Sequence, residues 1–219
     1  MPNKKGDLKN YVYQIIRDRI INCTYEPGSM IFEQSLTAEL KVSRTPVREA
    51  LNRIEQEGFI RIMPKKGVMV KEITVGDVGQ LFQAREEVEP IVVRLAGPYL
   101  DKEKMREFRK RYENNEHTTM WMTADKNPPL DTRLHLYIID NCHNTFLKEF
   151  MHKIFDRNTQ LMIFSHHREL NIYNAFDEHL QIIDLILEEK YEQASQVIKN
   201  HVIHNRDAMI AHLLRYQQG

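Results

Sequence analysis

Four side chains of this sequence have the types and the spacing to gather around one cation. Asp131 and His135 stand one helical turn apart, which places a carboxylate and an imidazole roughly 6 Å apart on one helix face. His179 and His201 lie in two later stretches with the same period. All four sit in otherwise apolar stripes: Asp131 and His135 beside Leu134 and Ile138, His179 beside Ile182, Ile183 and Ile186, and His201 beside Ala194, Val197 and Ile198. Polar groups in such stripes must find partners. One reading is a divalent ion held by the aspartate and the three histidines. The other is a hydrogen-bonded polar core, and a chain with ten histidines will place some of them inward by chance.

A second constellation lies far upstream. Arg44, Thr45 and Arg48 share one side at the start of a short amphipathic stretch, while Val47, Ala50, Leu51 and Ile54 share the other. A helix whose first turn carries two arginines and a hydroxyl suits the major groove, where arginine donates twice to guanine and the helix N-terminus attracts phosphate. Ser43 is placed to cap that helix, and Pro46 is tolerated in its first turn.

Elements around this stretch give it a setting. Leu8, Val12, Ile15, Ile16 and Ile20 recur with helical period, and the helix ends before Glu26-Pro27-Gly28. A short helix follows over about Gln34 to Leu40, then a tight turn at Lys41-Val42, then the helix from about Ser43 to Glu57, stopped by Gly58. Ile60–Met63 and Val68–Val70 alternate around Pro64-Lys65-Lys66-Gly67, so a β-hairpin with a basic tip is expected. Three helices and a hairpin in this order form a winged helix-turn-helix, with Lys65 and Lys66 placed to meet a DNA backbone.

From Thr74 onward the pattern is helical throughout. Thr74 and Asp77 have capping-box spacing. Helices are expected over about 74–96, with a bend at Pro90, and over 101–123, 129–141, 145–168, 175–189 and 191–215. Asn127-Pro128-Pro129 and Asn171-Ile172-Tyr173-Asn174 are the expected breaks. The fold class is therefore mainly α, with a winged helix-turn-helix over residues 1–73 and an all-α helical bundle over 74–219.

Bulk properties agree. The formal net charge is zero, but residues 1–73 carry 13 Lys and Arg against 9 Asp and Glu, while residues 74–219 carry 18 against 22. A basic first third beside an acidic remainder fits two modules, of which the first meets a polyanion. The two cysteines, Cys23 and Cys142, have no metal-type spacing and fit a reduced cytoplasm. No apolar run reaches membrane-spanning length, and no secretory signal follows the first residues.

The stretch Val42-Ser43-Arg44-Thr45-Pro46-Val47-Arg48-Glu49-Ala50-Leu51, with Glu26-Pro27-Gly28, Glu57-Gly58-Phe59 and Gly67, resembles the GntR family of bacterial regulators. That resemblance implies DNA contacts from Arg44, Thr45, Arg48 and the Gly67 backbone. Gln34 stands where some members carry a DNA-contacting arginine, and Lys41 where the turn is often glycine. The second half resembles the FCD effector-binding domain of the FadR-type branch through Arg85 with Glu89, Asp131 with His135, Asn144, Glu178-His179 and His201. The resemblance implies an ion, commonly zinc or nickel, on Asp131, His135, His179 and His201, and an effector pocket with Arg85 and Asn144. Arg85 would clamp a carboxylate through its planar fork, although an ion pair with Glu86 or Glu89 is the plainer reading. The chain departs from that family pattern at Glu189-Lys190, where many members have Gly-Asp in a helix–helix turn.

These readings imply a homodimer on a two-fold operator, modulated by a small carboxylate effector at a metal site. Two rivals stand beside it. In one, the ion is itself the signal. In the other, the chain is a metal-dependent hydrolase, for which the sequence offers no convincing general base or nucleophile near the ligands.

Overall fold

The computed structural model describes residues 5–114, 128–167 and 175–216. Contacts divide the chain into two compact units, Met1–Ile73 with Gln160–Phe164, and Thr74–Thr159 with Ser165–Gly219.

The first unit contains α1 (Lys5–Ile21), β1 (Met30–Ile31), α2 (Glu33–Leu40), α3 (Arg44–Gln56), β2 (Ile60–Met63) and β3 (Gly67–Val70). Val12, Ile16 and Ile20 form the buried stripe of α1 and pack with Val47, Leu51 and Ile54 of α3. Truncating one of these isoleucines to alanine would cost roughly 2–5 kcal/mol. The polar side of the same helix pair is tied at Glu57, which accepts from the Tyr13 hydroxyl at 2.6 Å and from Arg17 Nε at 3.0 Å. The expected hairpin is present, and Ile62 faces Val68 across it. A third strand was not expected. β1 is only two residues long, too short for a period-two signal, and it pairs antiparallel with β3 to give the order β1-β3-β2.

Two local expectations meet the backbone here. Lys41 ends α2 in the left-handed region, φ 53° and ψ 44°, the conformation that glycine adopts most easily. Ser43 is extended, as an N-cap residue should be, but its hydroxyl makes no capping hydrogen bond. The capping role assigned to that hydroxyl is therefore corrected.

The second unit is helical among its described residues. It comprises α4 (Val75–Ala96), a 3-10 turn (Gly97–Tyr99), α5 (Lys102–Glu113), α6 (Leu130–Asp140), α7 (Thr145–His167, apart from Gln160–Phe164), α8 (Phe176–Leu187) and α9 (Tyr191–Tyr216). Thr74 and Asp77 form the expected reciprocal capping box, and α4 continues through Pro90. Asp101 caps α5 by accepting from the amides of Glu103 and Lys104. The rest of the expected helix beyond Asn114, and the breaks at Asn127 and at Asn171–Asn174, lie outside the described residues. α8 closes with the Lys190 amide on the Leu185 carbonyl and the Glu189 amide on Ile186, a Schellman pattern. It needs a left-handed residue, and Glu189 supplies it at φ 61°.

Packing along α4 and α9 depends on one absent side chain. A Cβ at Gly97 would sit 2.3 Å from the Tyr191 ring. Around this seam, Val92, Val93, Phe108, Leu134, Ile138, Phe155, Ile183 and Ile198 form the apolar core. The histidine-bearing faces of α6, α8 and α9 turn toward the same interior.

Candidate functional site

In the first unit, α3 begins at Arg44, so Arg44, Thr45 and Arg48 lie on its first turns, and all three are exposed. Arg44, Lys65 and Lys66 make no ion pair with a described residue, so their charge is available to a polyanion. Arg48 differs: its Nε donates to Glu33 Oε2 at 2.8 Å. The wing turn closes with the Lys66 amide on the Met63 carbonyl at 3.0 Å, with Pro64 second and Lys65 third at φ 65°. Pro64 presets the turn, and Lys65 takes the third position of a type II turn, usually glycine's. Gly67 stands at φ 114°, and a Cβ there would lie 3.1 Å from the Ile31 carbonyl oxygen and 3.2 Å from Phe32. Only glycine lets the wing lie this close to β1. Gln34, Arg48, Lys65 and Gly67 line one open concavity of about 850 Å³ together with Phe32 and Glu33. An exposed helix start and a basic turn beside one concave surface can hold a phosphate backbone and reach base edges.

In the second unit, His135 on α6, His179 on α8 and His201 on α9 converge. Each is at least nineteen-twentieths buried, and one ring nitrogen of each lies within 4.8 Å of the others. His135 Nε2 and His179 Nε2 are 3.4 Å apart. Two of the other ring nitrogens meet carboxylates. His135 Nδ1 lies 2.6 Å from Glu89 Oε2, and His201 Nδ1 lies 3.1 Å from Glu178 Oε2. His179 Nδ1 has no hydrogen-bond partner among the described residues, and Asp131 Oδ1 stands 3.7 Å from it.

Burial disfavours the charged form of two of these rings, His179 and His201. Burial holds His179 well below the usual imidazole range, helped by His201 and His135. Burial also lowers His201, against the opposing bond to Glu178. Neutral imidazole carries the lone pair that a cation needs. Several such nitrogens facing one another in a dry interior repel unless something bridges them. A carboxylate on the outer nitrogen fixes the tautomer and raises ligand basicity. The residues therefore fit a divalent ion.

Of the four residues expected to form this set, the structure brings three together. Asp131 stands beside them, half-exposed, and accepts from the Tyr112 hydroxyl at 2.8 Å. Burial and that aspartate push the Tyr112 phenol well above its ordinary value, so it remains a donor. Arg85 is buried, between the rings of Phe82 and Phe155 at 5.0 Å from each centroid. Its Nε donates to Glu89 at 2.6 Å and its Nη1 to Asn158 Oδ1 at 2.7 Å. Burial would raise the Glu89 carboxyl, but Arg85 and His135 outweigh it and hold it at about 2. Asn144 is placed elsewhere. It is exposed, its carboxamide oxygen accepts from the Leu147 amide at the start of α7, and it lines a surface hollow with Tyr99 and His143. Sequence reasoning missed Asn158 and Tyr112. Asn158 is a polar residue between Phe155 and Leu161 on an apolar helix, the same signal that pointed to the histidines. Nothing in the local sequence of Tyr112 pairs it with Asp131.

Comparison with known proteins agrees with both halves. Residues 8–70 match the model of the bacterial regulatory proteins of the gntR family, and residues 80–204 match that of the FCD domain. The HTH-type transcriptional regulator YdhC of Bacillus subtilis (strain 168) is 26% identical over 194 residues, 88% of this chain and 87% of that protein. The Nta operon transcriptional regulator of Aminobacter aminovorans is 27% identical over 191 residues, 85% and 87% of the two chains. A GntR transcriptional regulator from Rhodococcus sp. RHA1 has the same fold, with a TM-score of 0.75 over 93% of this chain and 97% of that one at 21% identity.

The fold is thus that of a winged helix-turn-helix regulator with a helical second domain. The chain belongs to the GntR family of transcriptional regulators, with an FCD domain as its second half. It is a regulator and not an enzyme, as its relatives are. No helix among the described residues is long and apolar enough to cross a membrane.

Proposed function

We propose that the chain binds operator DNA in the cytoplasm as a homodimer, and that a small carboxylate effector bound at a metal site in the FCD domain modulates that binding. One observation carries the second part. Three buried imidazoles from three helices face one another, and two have carboxylates on their outer nitrogens. His135, His179 and His201 would hold the ion, with Asp131 as the candidate fourth ligand. Zinc and nickel are the candidates, since both accept imidazole and carboxylate. When bound, the ion supplies a Lewis-acidic position open to a carboxylate oxygen.

Arg85 would sense the effector through Glu89, the group it shares with His135. Asn144 enters only through α7, the helix it caps and on which Asn158 meets Arg85. In the first domain, Arg44 and Arg48 read base edges, Thr45 and the start of α3 hold a phosphate, and Lys65, Lys66 and the Gly67 backbone hold the wing against the duplex. Gln34 contributes from the same concavity. Two copies would place two α3 helices on a two-fold operator. The effector can act only by favouring one arrangement of the two reading heads over another.

A second reading draws on Arg85. Its Nε and Nη1 are already engaged, which favours the ion itself as the signal. Elemental analysis of tag-free protein purified without chelator, beside His179→Ala, tests the site. About one ion per chain, lost in the variant, is the expected result. No ion after attempted loading with zinc and with nickel would overturn the metal site and leave the DNA assignment standing. DNA binding switched by zinc alone would favour the second reading.

A further inference from the structure

An acidic side chain stands within the surface that the proposed function gives to DNA. Glu33 is the first residue of α2 and lines the same concavity as Gln34, Arg48, Lys65 and Gly67. A carboxylate there repels the phosphates that the neighbouring lysines attract. It has one polar partner among the described residues, Arg48 Nε at 2.8 Å, with 31% and 61% of the two side chains exposed. An ion pair this open contributes little stability. Its geometry is informative. The bond takes the side nitrogen of the guanidinium and leaves the two terminal nitrogens for other acceptors. One way for arginine to read guanine is with that terminal edge, toward O6 and N7.

We infer that Glu33 is a positioning residue for Arg48: it fixes the guanidinium across the concavity so that its terminal edge meets a base, and it opposes binding wherever no base repays Arg48. The residue raises sequence discrimination and lowers affinity for arbitrary DNA. This inference rests on the DNA-reading role given to α3. The plain competing role is electrostatic, since an acid at the first turn of α2 complements the helix dipole.

Aspartate separates the two roles. Glu33→Asp keeps the charge at the start of α2 but shortens the reach to Arg48 by one methylene. A randomised duplex pool, enriched on the full-length wild-type chain, supplies a selected duplex, and a scrambled duplex of equal length serves as reference. The ratio of the scrambled to the selected dissociation constant at fixed salt is then measured for wild type, Glu33→Gln and Glu33→Asp, each with and without Arg48→Ala. Both Glu33 variants should lower the ratio roughly tenfold. Glu33→Gln should also tighten binding to the scrambled duplex, and neither variant should change the ratio further once Arg48 is alanine. Discrimination retained in Glu33→Asp, or lost equally in the Arg48→Ala background, would overturn the inference while leaving DNA binding intact. A wild-type chain that enriches no sequence would overturn the DNA-reading role itself.

Discussion

Glu89 Oε2 lies 2.6 Å from His135 Nδ1, while the other oxygen of the same carboxylate accepts from Arg85. One buried anion thus orients an imidazole of the histidine cluster and neutralises the guanidinium beside it. Asn158 extends the chain by accepting from Arg85 Nη1. The candidate ion site and the candidate effector residue are therefore not independent. A change at either reaches the other through Glu89.

Glu89→Gln should be costly for that reason. It leaves the Arg85 charge buried without its anion, and breaking such a pair typically costs about 3–5 kcal/mol. Chemical denaturation of the metal-free protein measures this. Where the variant remains folded, ion affinity should fall roughly 10- to 100-fold, the usual effect of losing a carboxylate behind a ligating histidine. A loss below about 1 kcal/mol would show that Arg85 finds another partner.

Arg48→Ala and Lys65→Ala should differ in kind. Losing Arg48 should weaken the selected duplex by about 1–3 kcal/mol more than the scrambled one. Losing Lys65 should weaken both alike and reduce the salt slope by roughly one, as a phosphate contact does. Titrations at several salt concentrations read both quantities. An unchanged slope for Lys65→Ala would remove the wing from the interface.

Acid should destabilise the metal-free protein in two windows. His179 and His201 have folded values below the ordinary 6.5, so the unfolded chain binds protons first. Stability is then lost as pH falls through 6.5 toward the lowered values. Glu89 is held at about 2 against an ordinary 4.5, so its contribution is complete above 4.5 and is lost from there down to about 2. Thermal melts from pH 7.5 to 5.5 should show the first loss, and His179→Ala should flatten it. A flat wild-type profile over that range would contradict the neutral, buried histidines.

Lys41→Gly should stabilise the first domain by about 0.5–1 kcal/mol, because φ 53° strains any residue with a Cβ. Denaturant midpoints compare the two proteins. Destabilisation would mean that the lysine side chain compensates its backbone.

The sequence was most legible where residue type and period coincide. The faces of α3, the hairpin and the capping box of α4 follow from local pattern, and the convergence of His135, His179 and His201 from their places in apolar stripes. The missing pieces depended on distance along the chain. β1 pairs with a strand almost forty residues later. Glu33 and Arg48 meet across a turn between two helices. Asn158 reaches Arg85 from 73 positions away. Asp131 was legible as a polar residue on the right face, but not its choice of Tyr112 as donor. Asn144 carried a family pattern, and its observed work is the local task of starting a helix.

The bare Cα of Gly97 under the Tyr191 ring acts as a gauge. It sets how far α4 and α9 can slide along each other at one end of their shared seam. Arg85 lies twelve residues from it, and His201 ten residues from Tyr191, so helical rise separates them by about 15–18 Å. Alignment of the guanidinium with the histidines is thus calibrated at a point that touches neither. Even one added methyl group there would retune the pocket without altering a residue that lines it.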